Sequence, residues 1–415
     1  MGTLPQVVII GGGFAGLSAA RRLRKVPCEV TIVDRHNHHV FQPLLYQVAT
    51  AGLSPGDIAS PIRWILRKQP RLRVLLANVE HIDTAAKRLT LDRGETLSYD
   101  YMIVAAGAAH SYFGHDEWSG AAPGLKTLDD ALAMRRRMLL AFEEAERETN
   151  PVLQRRLLTF VIIGGGPTGV ELAGALAEIA RHVLRTEFDN VDPAISRILL
   201  LEAGPSILPS FPDTLRESAR VALLRLGVTV RTGQAVTKVE DGAVWLGDER
   251  IDAHTIIWAA GVAAAPISRD LGPHLDRAGR VIVEPDLSPP GHPDVFVAGD
   301  LASFSHQTGK PLPGVAQVAK QQGKHAAANV GRRIAGRPAT AFHYYDPGNM
   351  ATIGRNVAIA DFGFLRISGY LGWLTWLFVH ILFLIGFRNR LSVMLQWAAA
   401  YLTYQRSVRL ITRDP

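Results

Sequence analysis

One sequence pattern occurs twice in this chain, and it constrains the fold more than any other feature. Gln6–Ala20 reads QVVIIGGGFAGLSAA, and Thr159–Gly174 reads TFVIIGGGPTGVELAG. Each copy contains a short apolar run, a glycine turn and an alanine-rich stretch with apolar residues at helical spacing. A short apolar run that ends in glycine is typical of a buried parallel strand. The repeat therefore predicts two units of the strand–turn–helix type within one α/β chain.

The glycines of both copies match the GxGxxG fingerprint of dinucleotide-binding turns. The first glycine makes the tight turn, the second lets backbone N–H groups approach a pyrophosphate, and the third permits close packing of helix on strand. The helix N-terminus adds a favourable dipole for the anion. A single such motif is weak evidence, but here both copies follow a strand and open a helix. The predicted fold is α/β with two Rossmann-like dinucleotide-binding domains, whose pyrophosphate-binding glycines are Gly11, Gly13, Gly16, Gly164, Gly166 and Gly169.

Further apolar runs predict the other strands of the two sheets. They end in an acid or a glycine, and ligands of open α/β sheets bind beyond the C-terminal ends of the strands. We therefore expect ligand contacts from the residues that close these strands. The predicted strands are Glu29–Val33, Tyr101–Ala105, Arg197–Leu201, Ile256–Ala259 and Asp294–Ala298, and the residues that follow them are Asp34, Gly107, Glu202, Gly261 and Asp300.

Two of these acids have the position of a ribose-binding carboxylate. Asp34 lies 23 residues after Gly11, and Glu202 lies 38 residues after Gly164, against about 20 in the usual fingerprint. The longer second spacing fits an elongated helix and loop. A 2′-phosphate would be repelled by Glu202, which favours NADH over NADPH. The alternative for either acid is a solvated charge at a strand end.

Two helices are predicted outside the repeat. Leu128–Thr149 is charged and amphipathic, with Met134, Met138 and Phe142 on one stripe. A second helix is predicted within Leu312–Ala328, where Gln317 and Gln321 lie at i and i+4 on one face. Two uncharged amides on one face can hydrogen-bond carbonyl groups. From the residues alone, exposed helix positions remain the stronger alternative for this pair.

The single cysteine, Cys28, excludes several classes of protein. Intramolecular disulfides, a cysteine-rich zinc site and enzymes with a redox-active cysteine pair all need more than one thiol. We expect Cys28 to be a small packing residue, and the sequence predicts no metal site.

The C-terminal 75 residues differ from the rest of the chain. Residues 341–415 carry seven Arg, three Asp and 14 of the 31 aromatic residues, a composition that favours a membrane surface over nucleic acid. Ile367–Phe387 has 21 residues without a charged side chain, which is long enough for a span. Leu391–Thr412 reads as an amphipathic helix with Arg406, Arg409 and Arg413 toward its end. We favour two amphipathic helices lying in one leaflet, a membrane anchor, over a true span.

Together these motifs resemble the type II (non-proton-pumping) NADH:quinone oxidoreductases. These belong to the two-dinucleotide-binding-domain flavoproteins, which have a glutathione-reductase-like fold. The resemblance covers nearly the whole chain. The glycine motifs are shared by the entire superfamily, whereas His39–Ala49 (HVFQPLLYQVA) and Ala316–Gln321 (pattern AQxAxQ) are more particular to the family.

The resemblance implies FAD in the first unit and NADH as substrate in the second. The first glycine set and Asp34 would hold the pyrophosphate and the adenosine ribose of FAD, Val79 its adenine and Asp300 its ribityl chain. Many family members have Glu in place of Asp34. NADH would contact the second glycine set and Glu202. The remaining implied roles are Glu171 beside the nicotinamide–flavin contact, and Gln317 and Gln321 lining the quinone site.

The expected activity is hydride transfer from NADH to FAD, then two electrons to a membrane quinone (ubiquinone or menaquinone) without proton pumping. The alternatives are an NADH-responsive flavoprotein with a regulatory role, and a soluble NAD(P)H flavin reductase with a protein electron acceptor. Residues 1–115 and 264–340 would bind FAD, 116–263 NADH, and 341–415 the membrane. We expect a peripheral, monotopic protein on the cytoplasmic face of a bacterial inner membrane, and a homodimer is left open.

Overall fold

The computed structural model describes residues 4–403 and 408–411, apart from the side chains of Phe387 and Leu402. The chain divides into two compact units. The first comprises Met1–His39, Ala59–Ala109 and Val262–Pro347, and the second comprises Val40–Ile58, His110–Gly261 and Gly348–Pro415. Arg406, Arg413 and the predicted helical residues around Arg406 lie outside the described residues.

The first unit is built around a parallel sheet of five strands. Gln6–Ile10 is the central strand, and its last four residues are apolar and buried. The sheet order is Val295–Val297, Tyr101–Val104, Gln6–Ile10, Glu29–Asp34, Leu72–Leu76. The unit's other elements are the helices Phe14–Leu23, Ile62–Leu66 and Ala316–Ile334, the short helical turns Pro266–Leu271 and Gly299–Leu301, and the strands Ala59–Pro61, Val79–Asp83, Arg88–Leu91, Thr96–Ser98, Val262–Ala264, Val281–Ile282 and Ala302–Ser303.

Two helices of the first unit cross at a distance that only glycine permits. A Cβ added to Gly323, in Ala316–Ile334, would lie 2.1 Å from the carbonyl oxygen of Ala15 in Phe14–Leu23. The neighbouring Gln322 is 1% exposed, and its Oε1 accepts the Gly299 N–H at 2.8 Å. The helix that carries Gln317 and Gln321 is therefore fixed both to the first glycine turn's helix and to the turn that holds Asp300.

The second unit repeats the arrangement with a four-stranded parallel sheet. Its order is Val228–Thr232, Arg197–Glu202, Thr159–Ile163, Thr255–Trp258. The remaining elements are the helices Leu45–Ala49, Pro55–Ile58, Leu128–Arg147, Pro151–Leu157, Pro167–Glu178, Ile179–Val183, Asp213–Arg225, Gly369–Phe383 and Phe387–Thr403, the turns Gln42–Leu44, Asp116–Ser119 and Pro193–Ile195, and the strands Lys238–Glu240, Ala243–Leu246, Glu249–Asp252, Asn349–Thr352, Ala358–Asp361 and Arg366–Ser368. The short strands His38–Val40 and Ala108–His110 lie where the chain passes from one unit to the other.

The predicted strands and the helix at Leu128 are confirmed, with small differences at their ends. The helix predicted within Leu312–Ala328 is Ala316–Ile334, whereas the helix predicted over Leu391–Thr412 is Phe387–Thr403, and Arg409 lies outside it. Each of the five further strands begins and ends within one residue of its prediction. The predicted helix at Leu128 ends at Arg147 instead of Thr149, and its stripe of Met134, Met138 and Phe142 is buried. It begins where predicted because Thr127 and Asp130 form a capping box. Cys28 is buried, as expected of a packing residue.

The long uncharged run at the C-terminus does not form one helix. Its first two residues belong to the strand Arg366–Ser368, Gly369–Phe383 is a helix of 15 residues, and a second helix of 17 residues starts at Phe387. Leu384 is extended and Gly386 has a φ of +92°, a backbone conformation that favours glycine. Within the described residues, no helix is both long and apolar enough to cross a membrane.

Candidate active site

The two glycine turns have the same backbone geometry. The Gly11 N–H donates to the Val33 carbonyl at 2.8 Å, and the Gly164 N–H donates to the Leu201 carbonyl at 2.7 Å. Both glycines have positive φ, +97° and +114°, where an L side chain would be strained. The two copies of the sequence motif therefore form the same backbone hydrogen bond, from the first glycine to the second strand.

The third glycine of each turn allows close packing, and the second leaves open space at the helix N-terminus. A Cβ on Gly16 would lie 1.8 Å from the Gly11 carbonyl oxygen, and one on Gly169 would lie 1.9 Å from that of Gly164. Gly13 and Gly166 are the N-cap residues of the following helices, and apart from their chain neighbours no described residue has an atom within 4 Å of a Cβ added to either. Among the described residues no side chain caps either helix. The first-turn N–H groups are therefore available to an anion, which fits a pyrophosphate.

The acid after each second strand is held by its own turn. Asp34 accepts the N–H of Gly12 at 2.5 Å and that of His36 at 2.7 Å. Glu202 accepts the N–H of Gly165 at 2.6 Å and that of Gly204 at 2.6 Å. A carboxylate has about four acceptor positions, so each acid keeps lone pairs for a pair of ribose hydroxyls. The ribose contacts of both acids remain predictions.

Four other residues are predicted to contact a nucleotide: Gly107, Gly261, Asp300 and Val79. Gly107 and Gly261 follow parallel strands and have φ of +73° and +72°. Asp300 is half-buried in the turn Gly299–Leu301, and Val79 is the half-buried first residue of Val79–Asp83. Their contacts with a nucleotide remain predictions.

His39 is a further candidate site residue, which the sequence did not single out. It is 4% exposed, its ring lies edge-on to Phe14, and its Nδ1 is 3.2 Å from the Gly12 carbonyl oxygen. Burial lowers the pKa of His39 to about 4, so the ring is neutral and Nδ1 carries the proton toward that oxygen. Within the described residues its buried Nε2 has no partner. An acceptor beside the first turn is thus left for a donor group on a bound nucleotide.

Glu171 is buried inside the helix Pro167–Glu178 of the second unit. Its Oε1 accepts the Thr352 N–H at 3.3 Å. Burial raises the pKa of Glu171 to about 8, against the smaller opposing effect of the Thr352 hydrogen bond. At neutral pH the carboxyl is therefore mostly protonated and can donate a hydrogen bond. Neither the protonation state nor the partner Thr352 could be read from sequence spacing.

The two predicted glutamines differ in what they bind. Both are half-buried in Ala316–Ile334. The Gln321 amide donates to the Tyr345 carbonyl at 2.8 Å and accepts the Tyr345 N–H at 3.0 Å. Among the described residues no hydrogen bond engages the Gln317 side chain. Gln321 therefore holds the chain at Tyr345, whereas the Gln317 amide is available to a ligand.

The second unit contains a cavity of about 120 Å³ with aromatic walls. A dry cavity of similar size is known to accept one benzene ring. Trp376 is 2% exposed and lies with its ring 4.3 Å from that of His380 and 5.3 Å from that of Trp397. Its buried Nε1–H has no acceptor among the described residues. The aromatic lining is Tyr46, Trp373, Trp376, Trp397 and Tyr401.

The helices Gly369–Phe383 and Phe387–Thr403 present apolar side chains outward. Leu371 is 67% exposed and Phe378 63% exposed in the first of them, and Leu395 is 58% exposed in the second. The basic residues Arg366 and Arg388 are exposed nearby in the chain. An apolar surface bordered by basic residues is typical of a protein that lies on a membrane.

Two family patterns match the chain. Residues 5–323 match the pyridine nucleotide-disulphide oxidoreductase family, and residues 347–406 match the NDH2 C-terminal domain. The type II NADH:quinone oxidoreductase Ndh of Mycobacterium tuberculosis is 44% identical, covering 98% of this chain and 90% of that protein. The internal alternative NAD(P)H-ubiquinone oxidoreductase A1 of Arabidopsis thaliana mitochondria is 31% identical, covering 96% and 84%.

Solved structures agree in fold. NDH2 from Plasmodium falciparum in complex with NADH superposes with a TM-score of 0.87 at 19% identity, covering 99% of this chain and 100% of the other. The sulfide:quinone oxidoreductase of Aquifex aeolicus superposes with a TM-score of 0.74 at 18% identity, covering 93% and 92%. The predicted two-domain α/β fold is confirmed.

The raised pKa of Glu171 makes a prediction about stability. The pKa of Glu171 is about 8 in the folded protein, against an ordinary value of 4.5. The contribution of its protonated carboxyl to the free energy of unfolding is therefore fully present below pH 4.5 and is lost as pH rises to 8. Relative to Glu171→Gln, the wild-type free energy of unfolding should fall by about 1.4 kcal/mol per pH unit across that window. Denaturant titrations at several pH values measure this. Glu143→Gln, an exposed change in the same unit, should run parallel to wild type, and parallel curves for Glu171→Gln would contradict the assignment.

Proposed function

The chain belongs to the type II NADH:quinone oxidoreductase family, and from that premise we propose that it is an FAD-dependent enzyme that oxidises NADH and reduces a membrane quinone without pumping protons. The observation that carries the proposal is the double occurrence of one hydrogen-bonded glycine turn, once in each unit. Two such turns let one chain hold two dinucleotides, which a hydride transfer from NADH to FAD needs.

The first unit is assigned to FAD. Gly11, Gly13 and Gly16 leave a free helix N-terminus for the pyrophosphate, and Asp34 is held in place for the adenosine ribose. The orphaned Nε2 of His39 supports a ligand at this turn. Bound FAD supplies the two-electron chemistry, and the chain supplies orientation and exclusion of water.

The second unit is assigned to NADH. Gly164, Gly166, Gly169 and Glu202 repeat the same geometry there. The Glu202 carboxylate would repel a 2′-phosphate, so NADH is preferred over NADPH. Glu171, in the helix that this turn opens, positions the nicotinamide as a protonated hydrogen-bond donor rather than as an obligatory base.

We assign quinone binding to the Gln317 amide and to the aromatic cavity that Trp376 lines. The Gln317 amide can donate to a quinone carbonyl as that oxygen gains charge. Gln321, on the same helix as Gln317, holds the chain at Tyr345. The cavity behind Trp376 has room for a ring and an N–H for a carbonyl oxygen. Its walls include the two C-terminal helices whose outer sides are apolar, so a lipophilic substrate can arrive without crossing water.

We assign the outward side of the two C-terminal helices to a lipid surface, on the cytoplasmic face of a bacterial membrane. Exposed leucine and phenylalanine side chains enter the headgroup region, and the flanking arginines meet anionic lipids. Peripheral attachment brings a soluble substrate, NADH, and a lipid-soluble one to a single protein.

Turnover with purified, flavin-loaded protein tests the activity. We expect steady-state oxidation of NADH by short-chain ubiquinone or menaquinone analogues, and much slower oxidation of NADPH because of Glu202. Stopped-flow absorbance separates the two halves of the reaction. Flavin that NADH reduces but quinone fails to reoxidise would refute the proposal, and would favour a protein electron acceptor or a regulatory role.

Charged substitutions test the membrane assignment. Leu371→Glu and Phe378→Glu should each weaken co-sedimentation with anionic phospholipid vesicles by about tenfold or more, because a carboxylate is costly in hydrocarbon. Both positions are mostly exposed, so the fold should persist and FAD should remain bound. Leu224→Glu, at another exposed position of the second unit, is the matched control. Equal binding by all three variants would contradict the assignment.

Removal of one N–H tests the cavity. Trp376→Phe keeps an aromatic ring but removes the buried donor, so the KM for a lipophilic quinone should rise roughly three- to tenfold. NADH oxidation by ferricyanide, a water-soluble acceptor, should be unchanged. Trp64→Phe, at an exposed tryptophan of the first unit, controls for the substitution itself. A normal quinone KM in Trp376→Phe would remove the cavity from the proposal.

A further inference from the structure

Asp57 is a buried carboxylate that neither nucleotide turn uses. It lies in the short helix Pro55–Ile58 and is 8% exposed. Its Oδ2 accepts the Ser54 N–H at 2.8 Å, and its Oδ1 accepts the Ser392 hydroxyl at 2.9 Å. The Gln396 amide donates to both oxygens at 3.1 and 3.0 Å. All of these donors are uncharged.

The helix Phe387–Thr403 has its polar side turned toward the protein. Ser392 and Gln396 lie at i and i+4 and both bind Asp57. Val393, between them in the chain, is completely buried, whereas Met394 and Leu395 are 46% and 58% exposed. The inward side is therefore mixed and the outward side exposes large apolar residues, whereas a helix on the surface of a soluble protein turns its apolar residues inward. The inward hydroxyl and amide therefore need a buried acceptor, and Asp57 is that acceptor.

The dependence is mutual. A buried carboxylate without donors is strongly unfavourable, and a buried hydroxyl or amide without an acceptor is also costly. Removing one partner of such a set leaves the others uncompensated. The Asp57 carboxylate is therefore fully hydrogen-bonded only while the helix Phe387–Thr403 is packed on the protein. Separation of this helix returns the carboxylate to water.

The same helix carries a wall of the aromatic cavity. Trp397, next to Gln396, donates its Nε1–H to the Gln47 amide oxygen at 2.8 Å, and the Gln47 amide donates to the Tyr46 hydroxyl at 2.9 Å. Trp397 and Tyr46 both line the cavity. A shift of the helix at position 396 therefore moves the ring at position 397 and breaks this chain of hydrogen bonds.

We propose that Asp57 is a positioning residue for quinone reduction: by binding Ser392 and Gln396 it seats the C-terminal helix and sets the Trp397 wall of the quinone cavity. This rests on the assignment of the quinone to that cavity. Asp57 acts through the helix and has no part in the oxidation of NADH.

Asp57→Asn tests the proposal in the full-length holoenzyme. The Asn amide turns one acceptor oxygen into a donor that faces the Gln396 amide, so the KM for a lipophilic quinone in vesicles should rise roughly tenfold. NADH oxidation by ferricyanide and the KM for NADH should be unchanged. Trypsin should cleave faster after the exposed Arg388 and Arg390 because the helix separates more often. Asp248→Asn, an exposed change in the same unit, should behave as wild type.

A polarity exchange distinguishes positioning from a loss of fold. In Asp57→Asn with Gln396→Glu, the amide and the carboxylate change places, so quinone KM and trypsin resistance should both return toward wild type. Ser392→Ala with Gln396→Ala should reproduce the defect while leaving the Ser54 bond to Asp57 intact. An equal loss with ferricyanide and quinone, or the absence of any rescue, would overturn the proposal. If wild type itself fails to reduce quinone the proposed function fails, whereas the trypsin result still decides whether Asp57 seats the helix.

Discussion

At each glycine turn the helix approaches the preceding strand more closely than any side chain allows, and the functional geometry of both units depends on that approach. The carbonyl oxygens of Gly11 and Gly164 would lie within 2 Å of a Cβ on Gly16 or Gly169. Because the helix can come so near, its N-terminus points over the end of the strand. The next N–H groups, those of Gly12 and Gly165, then reach Asp34 and Glu202. One steric condition thereby places the anion site and the ribose acceptor together, twice.

Burial sets the protonation state of two ionisable side chains, Glu171 and His39. Glu171 keeps its proton because desolvation is opposed only by one long backbone hydrogen bond. His39 loses its charge for the same reason. Asp57 solves the problem differently, by collecting three uncharged donors from two segments. These three buried side chains are thus neutral or hydrogen-bonded, which suits a reaction in which charge must appear on the substrate.

The features that sequence could predict are those with local causes. The strands end where glycine or an acid follows an apolar run, and the helix at Leu128 begins at a capping box, so their bounds were predicted closely. The partners of Glu171, Gln321 and Asp57 could not be predicted, because Thr352, Tyr345 and Ser392 are distant in the chain. The sequence predicted an amphipathic helix within Leu391–Thr412. The structure adds that its exposed side carries Met394 and Leu395, while Ser392 and Gln396 face Asp57. Two C-terminal helices were expected, but the length of Ile367–Phe387 could not show where the first one ends. The extended Leu384 and the positive φ of Gly386 divide this uncharged run between the two helices.

The bond between Asp57 and Ser392 spans 335 positions of the chain, and this has a consequence for the order of events during synthesis. At 5–20 residues per second, Asp57 is added to the chain roughly 17–67 s before Ser392. Until Ser392 is added, the Asp57 carboxylate is hydrated, because the helix that supplies its hydroxyl and amide donors has not been synthesised. Both glycine turns are complete long before residue 392 is added. The outward apolar surface is therefore assembled last, on a chain whose two parallel sheets have all their strands by Val297, and the nascent chain spends little time with that apolar surface complete.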